Sequence, residues 1–160
     1  QTIRDQHGKP VQESAGTLYA ARPGRLRWVT EQPFAQLIVV DGQQIWRYEE
    51  DLEQVIVSDY SEDLGSTPAL LLSGDVASIA SSYRVLRSNN FYTLLPKDEQ
   101  SLFRAMQVTL NEGKLTRIQL NDSLGQTTVL RFTAIQVNPS LDPALFEFAP
   151  PAGADVLHDE

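Results

Sequence analysis

Short runs that alternate apolar and polar residues fill most of this chain of 160 residues. Turn signals separate the runs about every eight to twelve residues, a spacing that is typical of an all-β chain. In the run 25–30, alternation places Leu26 and Trp28 on one face of a strand and the arginines beside them on the other. The pair Asp41-Gly42 stands between two further runs and is a strong hairpin signal. The pattern therefore predicts an antiparallel meander.

A stretch near the middle of the chain departs from this pattern. Thr67-Pro68 has the cap and first-turn proline of a helix, Leu70 to Leu72 follow, and Gly74 stands past its end. Asp75 caps a second short helical segment, and both are too short to be stable alone in water, so they must pack on the sheet. The predicted fold class is mainly β with short helices. We expect one curved antiparallel sheet with strands at 16–21, 25–30, 36–40, 44–48, 53–58, 83–87, 91–95, 103–110, 115–120, 127–137 and 146–148.

Charge and motif content exclude several classes of function. The chain has 21 acidic residues against 13 Lys plus Arg, a formal charge of −8, which argues against a nucleic-acid surface. It has no cysteine, and its two histidines, His7 and His158, are far apart and are interpreted as solvated. No nucleophile elbow, phosphate loop, dinucleotide fingerprint or metal-ligand spacing occurs. We therefore expect no catalytic residues, no metal, no cofactor and no enzymatic activity.

The large apolar side chains leave two interpretations open. Trp28, Trp46 and Tyr48 come from early strands, and Leu70 to Leu72 come from a segment that is apolar nearly all round. Such residues either pack an ordinary core between sheet and helices or line a ligand cavity that a curved sheet encloses. Sequence composition alone does not separate the two.

One early block carries a family resemblance. Residues 16–28 read Gly-Thr-Leu-Tyr-Ala-Ala-Arg-Pro-Gly-Arg-Leu-Arg-Trp and resemble the G-x-L-x-x-x-R-P-x-x-x-x-W segment of the periplasmic outer-membrane lipoprotein carrier (LolA) family. The resemblance extends over residues 1–157 through Gln32-Pro33 and the segments 37–42, 45–48, 67–72 and 141–151. It implies an unclosed antiparallel β-barrel whose helical lid covers an apolar cavity.

The resemblance also implies a function. Carriers of this family receive lipoproteins from an inner-membrane ABC transporter, shield the acyl chains across the periplasm, and pass the cargo to an outer-membrane receptor. The receptor resembles the carrier in fold but is anchored through an N-terminal cysteine, which this chain lacks. The alternative is an exported regulator that senses lipids or lipoproteins with the same fold.

The family pattern assigns roles to particular residues. Arg22 corresponds to an arginine that hydrogen-bonds lid carbonyls in the closed state, and five donors in a fixed fork suit it to that role. For each aromatic residue, core packing and contact with an acyl chain both stay open. The expected acyl-chain cavity comprises Leu18, Trp28, Trp46, Tyr48, Leu70, Leu71, Leu72, Phe91, Phe103, Phe132 and Phe148.

We expect residues 1–160 to form a single lipoprotein-carrier domain. The resemblance implies an amphipathic helix before the first strand, and no such segment occurs among these residues. Without it part of the apolar sheet face would be uncovered, and exposed apolar patches typically mark association sites. The sequence therefore predicts self-association of this form of the chain.

Overall fold

The computed structural model describes residues 1–60, 72, 76–99 and 101–159. By its contacts the chain divides into two compact units, Gln1–Glu13 with Val76–Pro139 and Ser14–Asp75 with Ser140–Glu160. The strands are β1 (Thr2–Arg4), β2 (Pro10–Glu13), β3 (Ala15–Ala21), β4 (Arg25–Gln32), β5 (Gln36–Asp41), β6 (Gln44–Glu49), β7 (Gln54–Asp59), β8 (Tyr83–Ser88), β9 (Phe91–Pro96), β10 (Phe103–Asn111), β11 (Lys114–Asp122), β12 (Thr127–Arg131) and β13 (Asp155–His158). One α-helix, α1 (Val76–Ser82), and the 3₁₀ turns Glu50–Leu52 and Pro143–Phe146 complete the described elements.

The first unit contains an open seven-stranded sheet in the order β2-β1-β12-β11-β10-β9-β8, and each neighbouring pair is antiparallel. Met106 pairs with both Leu94 and Leu120, and all three side chains are buried. Ile118 and Leu130 continue this apolar face. We call it the seven-stranded unit.

The second unit contains an open six-stranded sheet in the order β13-β7-β6-β5-β4-β3. Four of its five pairs are antiparallel, and β13 pairs with β7 in parallel. We call it the six-stranded unit. Both of its faces carry apolar residues near the middle. The Trp28 face carries Leu18, Leu26, Trp28, Ile38, Val40 and Ile45, and the Trp46 face carries Val39, Trp46, Tyr48, Val55 and Val57 together with the charged Arg27.

The predicted fold class, mainly β with open sheets and little helix, is confirmed. Three details of the prediction are corrected. The described strands form two sheets instead of one, and β13 adds a parallel pair at an edge. The segment predicted as one strand over 127–137 ends at Arg131. The predicted closing strand 146–148 does not form, because Phe146 is the last residue of a 3₁₀ turn that Asp142 caps and Pro143 opens, and residues 147–148 are not in a strand. The helix predicted over 67–74 lies outside the described residues except for Leu72.

Candidate functional site

Arg22 lies in the turn between β3 and β4, where its side chain is exposed. Its Nε donates a hydrogen bond to the carbonyl oxygen of Leu72 at 3.4 Å. That distance is at the long end of the hydrogen-bond range, so the contact is a weak one. Leu72 is helical and half-buried, and 50 residues separate it from Arg22 along the chain. The contact therefore ties a helical residue of the middle segment to the end of the sheet.

The turn that presents Arg22 depends on a glycine. Gly24 is buried and has φ +64, a conformation that residues with a side chain rarely adopt. A Cβ there would lie 3.4 Å from the Cα of Gly42 and 3.4 Å from the ring of Tyr60. The β3–β4 turn is thus packed against the β5–β6 turn, and Tyr60 is held there by a backbone bond to Gln43 at 3.0 Å.

The Trp28 face begins beside this turn, and most of its residues form one apolar cluster. Leu26, Val40 and Ile45 are fully buried and Ile38 is 8% exposed. Three half-buried residues pack against these four: Leu18, Trp28 and Tyr60. The charged residue Arg47, which pairs with Ile38, interrupts the surface on β6. The arrangement is an apolar sheet face with the exposed Arg22 in the turn at one end.

The structure places Trp46, Tyr48 and Phe148 on the other side of this sheet. Trp28 pairs with Ile38, whereas Trp46 pairs with Val39, and neighbouring residues of a strand point to opposite faces. The two tryptophans therefore lie on opposite faces of this sheet, although the expected cavity includes both. A single cavity on the Trp28 face is not lined by Trp46 or Tyr48.

An aromatic cluster holds the end of the chain on the Trp46 face. The ring of Phe148 lies 5.8 Å from that of Trp46 and 6.0 Å from that of Tyr48, both in tilted arrangements that suit aromatic pairs. Arg27 Nη1 donates to the carbonyl oxygen of Leu145 at 3.3 Å. These contacts dock the closing 3₁₀ turn on the sheet, so Trp46, Tyr48 and Phe148 have a packing role.

Asp41 anchors Trp46 and the β5–β6 hairpin. Its Oδ1 accepts hydrogen bonds from the backbone N–H groups of Gln43 at 2.8 Å and Gln44 at 2.9 Å, and its Oδ2 accepts one from the indole Nε1 of Trp46 at 3.1 Å. Partial burial raises the pKa of Asp41, but these hydrogen bonds to the charged form outweigh it and leave the pKa below its ordinary value. The ionised carboxylate thus stabilises the hairpin.

The remaining predicted cavity residues are divided between the seven-stranded unit and the undescribed segment. Phe91 pairs with Thr109, on the face opposite to that of Leu94. Phe103 is half-buried at the start of β10, and half-buried Phe132 follows β12. Leu70 and Leu71 lie outside the described residues. The structure therefore brings together Leu18 and Trp28 on one face, and Arg22 and Leu72 in one contact.

The expected cavity leaves out five residues that lie on the Trp28 face or pack against it. They are Leu26, Ile38, Val40, Ile45 and Tyr60. Leu26 could have been assigned to the cavity from the sequence, because it lies two residues from Trp28 and therefore on the same face of the strand. The signal for Ile38 and Val40 was hidden, since β5 is apolar at four consecutive positions and alternation does not mark its faces.

Within residues 1–60, 72, 76–99 and 101–159 no group of three or more His, Asp or Glu side chains is placed to hold a metal ion. No helix in that part of the chain is long and apolar enough to cross a membrane.

Comparisons with known proteins agree with one another. The model of the family described as outer membrane lipoprotein carrier protein LolA matches residues 1–149. The outer-membrane lipoprotein carrier protein of Hahella chejuensis is 44% identical, over 99% of this chain and 79% of that protein. That of Alcanivorax borkumensis is 39% identical, over 100% of this chain and 79% of that protein.

A solved structure supports the fold alone. The crystal structure of an uncharacterized conserved protein from Thermus thermophilus aligns with a TM-score of 0.51 at 15% identity, over 99% of this chain and 88% of that one. The family assignment rests on the family model and on the sequence relatives, which span nearly the whole chain. The chain belongs to the outer-membrane lipoprotein carrier protein (LolA) family.

Proposed function

We propose that this protein carries lipoproteins through the periplasm and that the Trp28 face receives their acyl chains. The carrier class follows from the family and from relatives that are described as outer-membrane lipoprotein carrier proteins. The observation that carries the assignment of the face is the apolar cluster around Leu26 with Arg22 at its end. An inner-membrane ABC transporter loads the carrier, and an outer-membrane receptor unloads it.

Acyl binding on this face requires a second, more open state. Leu26, Val40 and Ile45 have no exposed surface here, so an acyl chain reaches them only after a rearrangement. Burying a sixteen-carbon chain gains about 12 kcal/mol at about 0.8 kcal/mol per CH₂. The cost of exposing the apolar face offsets part of that gain. Binding therefore stays loose enough for cargo to be surrendered at the outer membrane.

Arg22 acts as a latch that favours the closed state. A hydrogen bond to a charged group contributes about 1.5–3 kcal/mol. The bond to Leu72 is long and exposed, so we expect a contribution at or below the lower end of that range. About 1 kcal/mol shifts the ratio of closed to open protein roughly fivefold. The latch therefore adjusts cargo release without blocking cargo entry.

The Arg22→Leu variant of the mature carrier tests this role. We expect it to accept lipoprotein from the transporter and to pass it to the receptor several-fold more slowly than the unmodified protein. Arg25→Leu is the matched control, because Arg25 is an exposed arginine at the start of β4, near the same turn. Transfer of labelled lipoprotein between purified transporter and receptor measures both steps.

The outcomes separate the latch from the carrier role. Arg22→Lys keeps the positive charge and a donor, so we expect it to restore part of the release rate. Equal release by the Arg22→Leu and Arg25→Leu variants would remove Arg22 from the mechanism. Failure of the unmodified protein to accept any lipoprotein would overturn the proposed function itself.

A further inference from the structure

Two large apolar side chains are exposed at one end of the six-stranded sheet. Phe34 lies in the β4–β5 turn and is 69% exposed, and Leu52 lies in the β6–β7 turn and is 65% exposed. The two turns are neighbours, because the backbone N–H of Glu50 donates to the carbonyl oxygen of Ala35 at 3.3 Å. Exposed apolar residues at a shared tip differ from the single scattered ones that every surface has.

The backbone around these side chains is fixed on both sides. The N–H of Glu53 donates to the carbonyl oxygen of Glu50 at 3.1 Å and closes the 3₁₀ turn that presents Leu52. The N–H of Asp155, at the start of β13, donates to the carbonyl oxygen of Glu53 at 2.8 Å. A partner that binds here therefore meets a preorganised surface, which reduces the entropy lost on binding.

Acidic residues lie close to the two apolar ones in the sequence. Residues 31–36 and 49–54, which we call the acidic tip, contain five acidic residues and no lysine or arginine. Four of the five are exposed: Glu31, Glu50, Asp51 and Glu53. The residues of the six-stranded unit include fifteen acidic ones against four arginines, a formal charge of −11, whereas those of the seven-stranded unit carry +3.

We propose that the acidic tip is a docking surface for a partner protein that presents lysine or arginine side chains around an apolar contact. The negative charge of the acidic tip argues against two other binding partners. An anionic lipid surface and the acidic tip of a second copy of the chain would both be repelled. A basic protein surface would be attracted, and complementary charge speeds encounter and fixes register. Phe34 and Leu52 supply the apolar contact at the centre.

The position of the tip fits the carrier's task. The tip lies where β4 and β6 meet the turns at 33–35 and 50–53, and the Arg22 turn lies at the other end of β4. Eight residues of strand span about 27 Å at about 3.4 Å each. A partner bound at the tip therefore leaves the latch free to open. This inference rests on the proposed function, since it takes the partner to be the transporter, where the latch has to open for cargo to enter.

Binding of the mature carrier to detergent-solubilised transporter and to receptor without its acyl anchor tests the proposal. We expect Phe34→Ser/Leu52→Ser to weaken binding to the transporter about tenfold or more. Leu124→Ser is the matched control, because Leu124 is 84% exposed on a turn of the seven-stranded unit. It should bind like the unmodified protein.

A second pair of variants tests the charge. Glu50→Lys/Asp51→Lys should slow association several-fold at low salt, and the difference should shrink at about 1 M salt, where the Debye length is about 3 Å. Glu112→Lys, an exposed acidic residue of the seven-stranded unit, is the control.

Each result bears on the proposal. Unchanged binding of both tip variants to the transporter, whether or not their binding to the receptor changes, would overturn it and leave the carrier function standing. Binding to neither partner by the unmodified chain would overturn the docking proposal and the partner assignment together. Binding of a fatty acyl probe, measured on the same samples, reports separately on the carrier function.

Discussion

Phe148→Ala tests the assignment of the two faces, because it removes the ring that joins Trp46 and Tyr48. Truncating a fully buried Phe to Ala destabilises a protein by about 3–5 kcal/mol. Phe148 is half-buried and makes two tilted ring contacts, each of which contributes about 0.5–1.5 kcal/mol beyond area burial. We expect the free energy of unfolding to fall by about 2–3 kcal/mol.

The assay combines stability with ligand binding. Urea denaturation, followed by tryptophan emission, gives the change in the free energy of unfolding. Titration with a fatty acyl probe gives the affinity, which we expect to stay within about twofold of that of the unmodified protein, an energy of about 0.4 kcal/mol. Phe34→Ala is the control for stability, because Phe34 is 69% exposed and its loss should change stability by less than about 0.5 kcal/mol.

Leu18→Ala, in contrast to Phe148→Ala, should lower the affinity for the acyl probe if the Trp28 face binds the acyl chain. Leu18 packs against the buried cluster of that face, so its truncation should lower the probe affinity measurably. A larger loss of probe affinity in Phe148→Ala than in Leu18→Ala would refute the face assignment. Unchanged stability of Phe148→Ala would refute the packing role of the aromatic cluster.

Two further predictions concern the sheet and its hairpin. In Gly16→Ala the new Cβ would lie 1.8 Å from the carbonyl oxygen of Val29, so the backbone pairing there has to shift. The six-stranded unit should lose about 1–3 kcal/mol of stability, the net value of about two ladder hydrogen bonds. Urea denaturation measures this loss, with Thr17→Ala as the control. The pKa of Asp41 is lower in the folded protein than in the unfolded protein, where an Asp has a pKa of about 3.9. The free energy of unfolding should therefore fall as the pH drops below about 4. Asp41→Asn should lose part of that pH dependence in denaturation curves between pH 7 and pH 3, and an identical slope for both proteins would contradict the hydrogen-bonded role of Asp41.

The strands and the main hairpin were predictable from the sequence because local signals determine them. The Asp41-Gly42 turn forms as expected, with Gly42 at φ +101, and β6 returns from it. The family was also predictable, since the block at 16–28 is specific and the comparisons confirm the resemblance. The expected carrier role, as opposed to an enzyme, agrees with that family.

The division of the aromatic residues between two faces was not predictable, because it depends on the length of one turn. Thr30 pairs with Gln36, so five residues separate the paired ends of β4 and β5 and Trp28 meets Ile38. One residue more or fewer would pair Trp28 with Leu37 or Val39 and place it on the face of Trp46. Alternation within a strand shows which of its residues share a face. It does not show how many residues the turn contains, and that number sets the register with the next strand.

Arg22 illustrates the same limit at the site. Its charge and its place before Pro23 indicate a strand end and nothing more. The partner carbonyl of Leu72 is 50 residues away, and such a contact is determined by the tertiary structure. Only the family resemblance pointed to a lid contact before the structure placed Arg22 beside Leu72.

Contact quenching of the two tryptophans by a brominated fatty acyl probe tests the central claim most directly. Trp46→Phe leaves Trp28 as the single tryptophan and Trp28→Phe leaves Trp46, so the emission of each is read alone. If acyl chains bind on the Trp28 face, saturating probe quenches the emission of Trp28 strongly and that of Trp46 little. Equal quenching of both, or stronger quenching of Trp46, would contradict the account.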